Sequence, residues 1–514
     1  MHPWGVAAVT PEKPALIMAE CGEVLSYSRL VRRANQAAHL LAALGLVPGD
    51  TVAFLLENCT YYAELCWAAK NSGLYYVAVS SHLNAADAAY IVANSDARLL
   101  VTSRALAATA QEVAAQIGGR VTYLMIDEAE PPFLSYERLV DEQPDTPLPE
   151  RPRGASMLYS SGTTGRPKGV RVPLANVPPT VPPQRHFVLL KQFGFDADTV
   201  FINPGPFYHA APLRMMMAVQ RMGGTVIGFG KFDAAATLAA IATYGGTHGF
   251  FVPTMFARML KLPREVRGAA NLSSMKCAIH AAAPCPRHVK EAMIEWWGPV
   301  LWELYGGTES VGHTFISSAE WLQRRGSVGK PAAGCVVKIV DDAGRSLGPY
   351  QPGRIFMYNG HRFQYYKDEA QTCAAYDEQG RATMGDIGYL DEEGYLYLTD
   401  RQAHMIISGG VNIYPQEAEN VLLEHPAVAD VAVIGVPHAE FGEEVKAVVV
   451  PACPVQDAAA LAAEIMAFCR ARLSAIKCPR SVDFVAELPR NDAGKLLKRI
   501  LKQRYWAGRG SVII

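Results

Sequence analysis

The sequence contains no closely spaced cysteine pair, no long apolar run and almost no net charge, and each absence removes a class of function. Its 10 cysteines stand singly, from Cys21 to Cys478, with no Cys-x-x-Cys among them. Neither a disulfide framework nor a structural zinc site is indicated, and free thiols suit a reducing compartment. Lysine and arginine number 48 against 49 aspartates and glutamates, so the surface as a whole offers no broad attraction to nucleic acid or anionic lipid. No apolar stretch approaches the roughly 20 residues that span a bilayer. The opening residues, Met1 to Trp4, lack a basic and apolar leader, and Ser511 to Ile514 form no C-terminal address. A cytoplasmic protein without a transmembrane segment is expected. Internal repeats and low-complexity tracts are missing as well.

What is present is a large globular chain of 514 residues, 50% hydrophobic and 19% charged, long enough for about three folding units at roughly 150 residues each. From Thr51, short β-rich runs (Val52 to Leu56, Val77 to Val79, Arg98 to Val101, Val121 to Ile126) alternate with helical patterns at Tyr61 to Asn71 and at Ala85 to Ala93 after a capping Asn84. That rhythm predicts βαβ units in a parallel sheet. After a proline- and acid-rich linker at Asp141 to Pro152, a second series runs through Val200, Gly224, Gly249, Met275 and Val300 and predicts a second doubly wound sheet. Short strands split by turns between Val337 and Leu398 predict a β-rich subdomain. Beyond Arg401 the pattern is that of a small α/β unit. The predicted fold class is therefore α/β, with a large domain over residues 1–400 and a smaller one over 401–514.

The strongest local signal is YSSGTTGRPKG, from Tyr159 to Gly169. Glycines let backbone N–H groups approach an anion, hydroxyls add donors, and Lys168 adds a positive charge, a combination suited to the phosphates of a nucleotide. A Walker A loop needs Gly before the lysine and Ser or Thr after it, and Pro167 and Gly169 stand there instead. A flexible surface turn would need neither Lys168 nor so dense a hydroxyl cluster.

This segment resembles the phosphate loop of the adenylate-forming superfamily, which includes acyl-CoA synthetases, luciferases and the adenylation domains of peptide synthetases. The remaining signatures follow in the family's order from about Pro14 to Arg499. The resemblance implies that Ser160, Ser161, Gly162, Thr163, Thr164, Gly165 and Lys168 hold the phosphates of ATP. In YGGTE, Tyr305 and Gly306 would border the nucleotide, Thr308 would touch the α-phosphate and Glu309 would hold Mg²⁺. Ala281, Ala282, Ala283 and Pro284 resemble the small-residue loop against which adenine lies flat. Asp386 is similar to the ribose-binding aspartate, although Met384 stands where most relatives have Thr, and Arg401 would reach the ribose or phosphates.

The same resemblance makes residues 401–514 a mobile domain. Ala403 occupies the hinge position, where many relatives carry Asp or Lys. Ser408, Gly409 and Gly410 would line the pantetheine tunnel, and Phe441 would stack on the adenine of CoA. Lys495, in LPRNDAGK, matches the lysine that contacts the acid and the α-phosphate; without the motif it reads as a solvated charge. By family position the acyl pocket comprises His209, Ala210, Ala211, Phe250, Phe251, His280, Gly306 and Val311, a roomy apolar cavity for a hydrophobic acid.

The implied activity is an AMP-forming acyl-CoA ligase using ATP, Mg²⁺ and CoA, with small molecules as its partners and a homodimer compatible with the family. Rival readings keep the fold and change the acceptor to oxygen or a carrier protein, or make the chain a silent AMP- or acyl-binding protein. No carrier-like segment follows the last motif, and Glu309 and Lys495 are both retained, which favours the ligase.

Overall fold

The computed structural model describes residues 2–507 except 150, 161–166, 183–189, 402–403, 409–410, 439–440 and 491–494, and only the backbone of Asp400, Arg401 and Asn412. The expected βαβ series forms a six-stranded sheet, in spatial order Leu134–Ser135, Thr122–Ile126, Ala97–Ser103, Thr51–Leu55, Tyr75–Val79 and Ala155–Ser156. All its pairings are parallel. Thr51–Leu55 and Tyr75–Val79 are buried along their whole length, which is why they read as unbroken apolar runs rather than alternating ones. Helix Ala85–Asn94 begins where Asn84 Oδ1 accepts from the Asp87 N–H at 2.9 Å, satisfying a donor that the first turn leaves open.

Residues before Thr51 show little periodicity yet are well structured. Pro14–Met18 pairs parallel with Thr225–Gly228, more than 200 positions away, and helix Tyr27–Ala43 follows, capped by Ser26. The second sheet carries a parallel core of Thr225–Gly228, Val200–Asn203, His248–Phe251, Cys277–His280 and Leu301–Gly306. At its edge the chain reverses: His313–Ser317 returns antiparallel along Leu301–Gly306. Through that hairpin the strands Ser327–Pro331, Leu396–Arg401, Asp386–Leu390, Gly353–Tyr358 and Val336–Val340 continue the same sheet to 13 strands. The predicted β-rich subdomain is thus an antiparallel extension of the second sheet.

Beyond Arg401 a five-stranded sheet is covered by helices Pro415–Leu422, Ala458–Arg470 and Lys498–Trp506. It has its own apolar cluster, including Ile406, Leu422, Val433, Ala447 and Ile465. A cleft of about 1600 Å³ lies between this unit and the C-terminal ends of the parallel strands, lined from both sides. That end is where open α/β sheets bind ligands. No helix among the described residues is long and apolar enough to cross a membrane.

Candidate functional site

The hairpin that reverses the second sheet also presents its carboxylate. Thr308 and Glu309 sit in the turn between Leu301–Gly306 and His313–Ser317. Ser310 adopts φ +56°, a left-handed conformation that costs a non-glycine residue energy and must be held by its surroundings. Arg214, from helix Ala210–Met222, holds it: its Nη1 and Nη2 donate to the Thr308 carbonyl at 3.3 and 3.2 Å, and Nη1 to Ser310 Oγ at 2.9 Å. From the other side, Asn359 Nδ2 donates to the Ser310 carbonyl at 2.9 Å. Glu309 is nearly buried, and its Oε1 accepts from the Tyr365 hydroxyl at 3.0 Å. Among the described residues its Oε2 accepts no hydrogen bond, and no group of three or more His, Cys, Asp or Glu could hold a metal alone. A lone carboxylate suits magnesium, which takes most of its ligands from phosphate and water.

Lys168 meets this carboxylate across a small sheet, in which Lys168–Arg171 pairs antiparallel with Leu158–Ser160 on one side and Gln364–Tyr365 on the other. Ser160 is its register partner. The Lys168 ammonium donates to Gln371 Oε1 and lies 5.6 Å from the centre of the Tyr365 ring. Burial lowers its pKa, while Asp368 and Glu309 oppose that effect. Ser161, Gly162, Thr163, Thr164 and Gly165 lie outside the described residues, as do Ala403, Gly409 and Gly410.

Asp386 is buried and accepts from the Tyr305 hydroxyl at 2.7 Å. Its ladder partner is Arg401, so both expected ribose contacts share one antiparallel pair. Met384 fills space above the carboxylate turn, since a Cβ on Gly307 would meet its sulfur at 2.3 Å. In the small-residue loop Ala282 has φ +75°, and Ala282, Ala283 and Pro284 line the cleft. Ala281 is buried behind them.

Beneath that loop lies a buried ionic cluster. Lys290, from helix Arg287–Trp297, donates to Glu303 Oε2 at 2.6 Å, and its ammonium lies 4.6 Å from the centre of the Trp321 ring. His280 is opposite Glu303 in the ladder, with Nε2 3.8 Å from the same oxygen. Burial, followed by the charge of Lys290, pushes the imidazole pKa well below its usual value, so this ring is neutral.

Of the residues expected around the acyl group, Gly306 borders the cleft. Phe250, Phe251, His280 and Val311 are buried in packed cores, with Phe251 and His280 against Phe256 on the helix-covered face of the sheet. His209, Ala210 and Ala211 open helix Ala210–Met222 and are half-buried. On the C-terminal side Lys495 lines the cleft, together with residues such as His404 and Arg490. Ser408 and Phe441 lie away from it; Ser408 is buried, and Phe441 stacks on His438 with ring centres 4.8 Å apart.

Sequence reasoning missed Tyr365, Gln371, Lys290 and Glu303 as members of these clusters. The only signal for the first two is the aromatic run from Phe363 to Tyr366 ahead of Lys367. The other two join only when helix packs on strand.

Residues 4–366 match the family described as AMP-binding enzyme, and residues 417–495 match the AMP-binding enzyme C-terminal domain. A feruloyl-CoA synthase of Amycolatopsis sp is 32% identical over 505 residues, covering 98% of each chain. A fatty acid–[acyl-carrier-protein] ligase of Streptomyces coeruleorubidus is 30% identical over 515 residues, covering 96% of this chain and 94% of that one. Among solved structures, the o-succinylbenzoate CoA synthetase of Bacillus subtilis in complex with its acyl-adenylate intermediate superposes with a TM-score of 0.81 at 28% identity, covering 97% of both chains.

Proposed function

We infer the working residues of this chain from its place in the AMP-binding enzyme family, to which it belongs. It is an AMP-forming acyl-CoA ligase, and its proposed substrate is a hydrophobic carboxylic acid. In this reading residues 1–400 form the adenylation domain and residues 401–514 the mobile domain that carries Lys495. The single thiols favour work in the cytoplasm, where they stay reduced.

A carboxylate is a poor acyl donor because its leaving group would be oxide. The carboxylate oxygen therefore attacks the α-phosphorus of ATP, the bond to the β-phosphate oxygen breaks, and acyl-AMP and pyrophosphate result. Lys168, Thr308 and Lys495 are assigned to the charge that develops on the phosphates, a role that fixed donors fill without reorganising. Glu309 would hold magnesium, which when bound neutralises further phosphate charge. Asp386 and Arg401 would fix the ribose, and Ala282 to Pro284 the adenine. In the second step the thiolate of CoA attacks the acyl carbonyl and AMP leaves. Ser408, Gly409, Gly410 and Phe441 would serve that step after the C-terminal domain turns about Ala403.

The observation that carries this reading is the convergence of Lys495, Ala282, Gly306 and Asp386 on one cleft from both parts of the chain. The experiment is Lys495→Ala. Exchange of labelled pyrophosphate into ATP should fall by about 10²-fold or more, while CoA transfer from preformed acyl-AMP stays near the parent rate. Equal loss in both half-reactions would remove Lys495 from its role.

A further inference from the structure

We propose that the wall of the cleft contributed by the large domain carries a subsite for the phosphates of CoA, built from Lys231, Arg258, Lys261 and Arg287. The proposal rests on CoA being the acceptor. All four residues line the cleft that Gly306 and Lys495 also line. Helix Pro253–Leu260 turns Met255, Phe256 and Met259 into the core and leaves Arg258 outward, with Lys261 exposed just beyond it. Arg287 opens helix Arg287–Trp297. Lys231 follows strand Thr225–Gly228, where the Glu20 carboxylate is engaged by the Gly230 N–H at 3.0 Å.

The charge on this wall is one-sided. Among the described residues none of the four cations has an ion pair, whereas the acids beside them are occupied. Glu303 is held by Lys290, Asp386 accepts from Tyr305, and Glu57 accepts from Ser103. The phosphates of ATP do not account for the excess, because Lys168, Thr308 and Glu309 lie outside this wall. At about 1600 Å³ the cleft also exceeds the roughly 300–1,000 Å³ that a single small ligand fills. A second polyanionic ligand suits both the room and the charge. CoA carries a diphosphate and a 3′-phosphate at the end remote from its thiol, so its anionic end would rest here while the thiol reaches inward.

The test compares the parent with Arg258→Ala/Lys261→Ala and with Lys231→Glu, using CoA, dephospho-CoA and pantetheine as acceptors. KM for CoA should rise about tenfold, the loss of roughly one charge-assisted contact. It should also lose much of its dependence on ionic strength. KM for pantetheine and pyrophosphate exchange should keep their parent values. Dephospho-CoA should be affected less than CoA if the 3′-phosphate is bound, and equally if only the diphosphate is. An unchanged KM for CoA, or an equal rise for pantetheine, overturns the subsite. Parallel loss of pyrophosphate exchange assigns these cations to adenylation instead and overturns it too. A parent enzyme that forms acyl-AMP but releases no AMP on addition of CoA overturns the acceptor reading, and the subsite with it.

Discussion

Arg214 illustrates how one side chain sets the geometry of a site without touching the reacting atoms. It joins a helix to the turn that bears Thr308 and Glu309, and three of its hydrogen bonds end on that turn. The turn would otherwise relax, because Ser310 is held at φ +56°, a cost of order 1–3 kcal/mol that surrounding contacts must offset. Arg214→Met preserves length and removes every donor. Pyrophosphate exchange should then fall about 10- to 100-fold, through kcat more than KM for the acid, since displacement by an ångström suffices for such losses. Arg214→Lys should recover part of the rate by donating once to the Thr308 carbonyl. Parent-like exchange in the methionine variant would show that the turn holds itself.

Between elements, the contact with most at stake is that of helix Arg287–Trp297 with strand Leu301–Gly306, where Lys290 and Glu303 meet with both side chains almost wholly buried. Breaking such a pair leaves a charge buried and unpaired, so Lys290→Met should destabilise the protein by about 3–5 kcal/mol. Adding Glu303→Leu should restore much of that loss, and denaturant midpoints for the two variants check both statements. Two equally destabilised proteins would mean that packing, not charge, dominates there. This pair also marks the limit of what sequence patterns carry. Helix Tyr61–Asn71 has the ends its apolar spacing predicts, and Asn84 caps the next helix as expected, because both depend on neighbours three or four positions away. The phosphate-loop lysine, the carboxylate turn and Asp386 were legible as motifs. Strand Pro14–Met18 and the continuation of the second sheet past His313 were not, since each is defined by a partner distant in the chain. The same holds for Tyr365 on Glu309, 56 positions apart. Gly306 is intermediate: its motif was readable, but the reason it must be glycine is not local. A Cβ there would stand 2.6 Å from the His313 ring.

At the scale of the whole molecule, three histidines are enclosed in their neutral form. The pKa of His2 is pulled down to about 3 by burial, followed by the charge of Arg221, and that of His313 to about 4 by burial and then by Arg214 and His361. His280 lies well below its ordinary value through burial and then Lys290. The sign of the consequence follows from proton counting. The unfolded chain binds protons at these rings as pH drops through about 6.5, while the native state refuses them until near 4 or lower, so acid favours unfolding. Stability should be level above pH 7 and decline from about 6.5 toward 4, by at most roughly 1.4 kcal/mol per histidine per pH unit. Carboxylates with lowered values, such as Glu320 and Asp483, act in the same direction but only from about pH 4.5 downward. The interval from 6.5 to 4.5 therefore reports the histidines alone. Six of the seven tryptophans precede Arg401, so tryptophan fluorescence follows the large domain that holds all three rings. Denaturant midpoints at pH 7.5 and 5.5 should differ clearly in the parent, and the difference should shrink by about a third in His313→Asn. A parent midpoint that does not move between those two values would mean that the three rings are protonated in the native state.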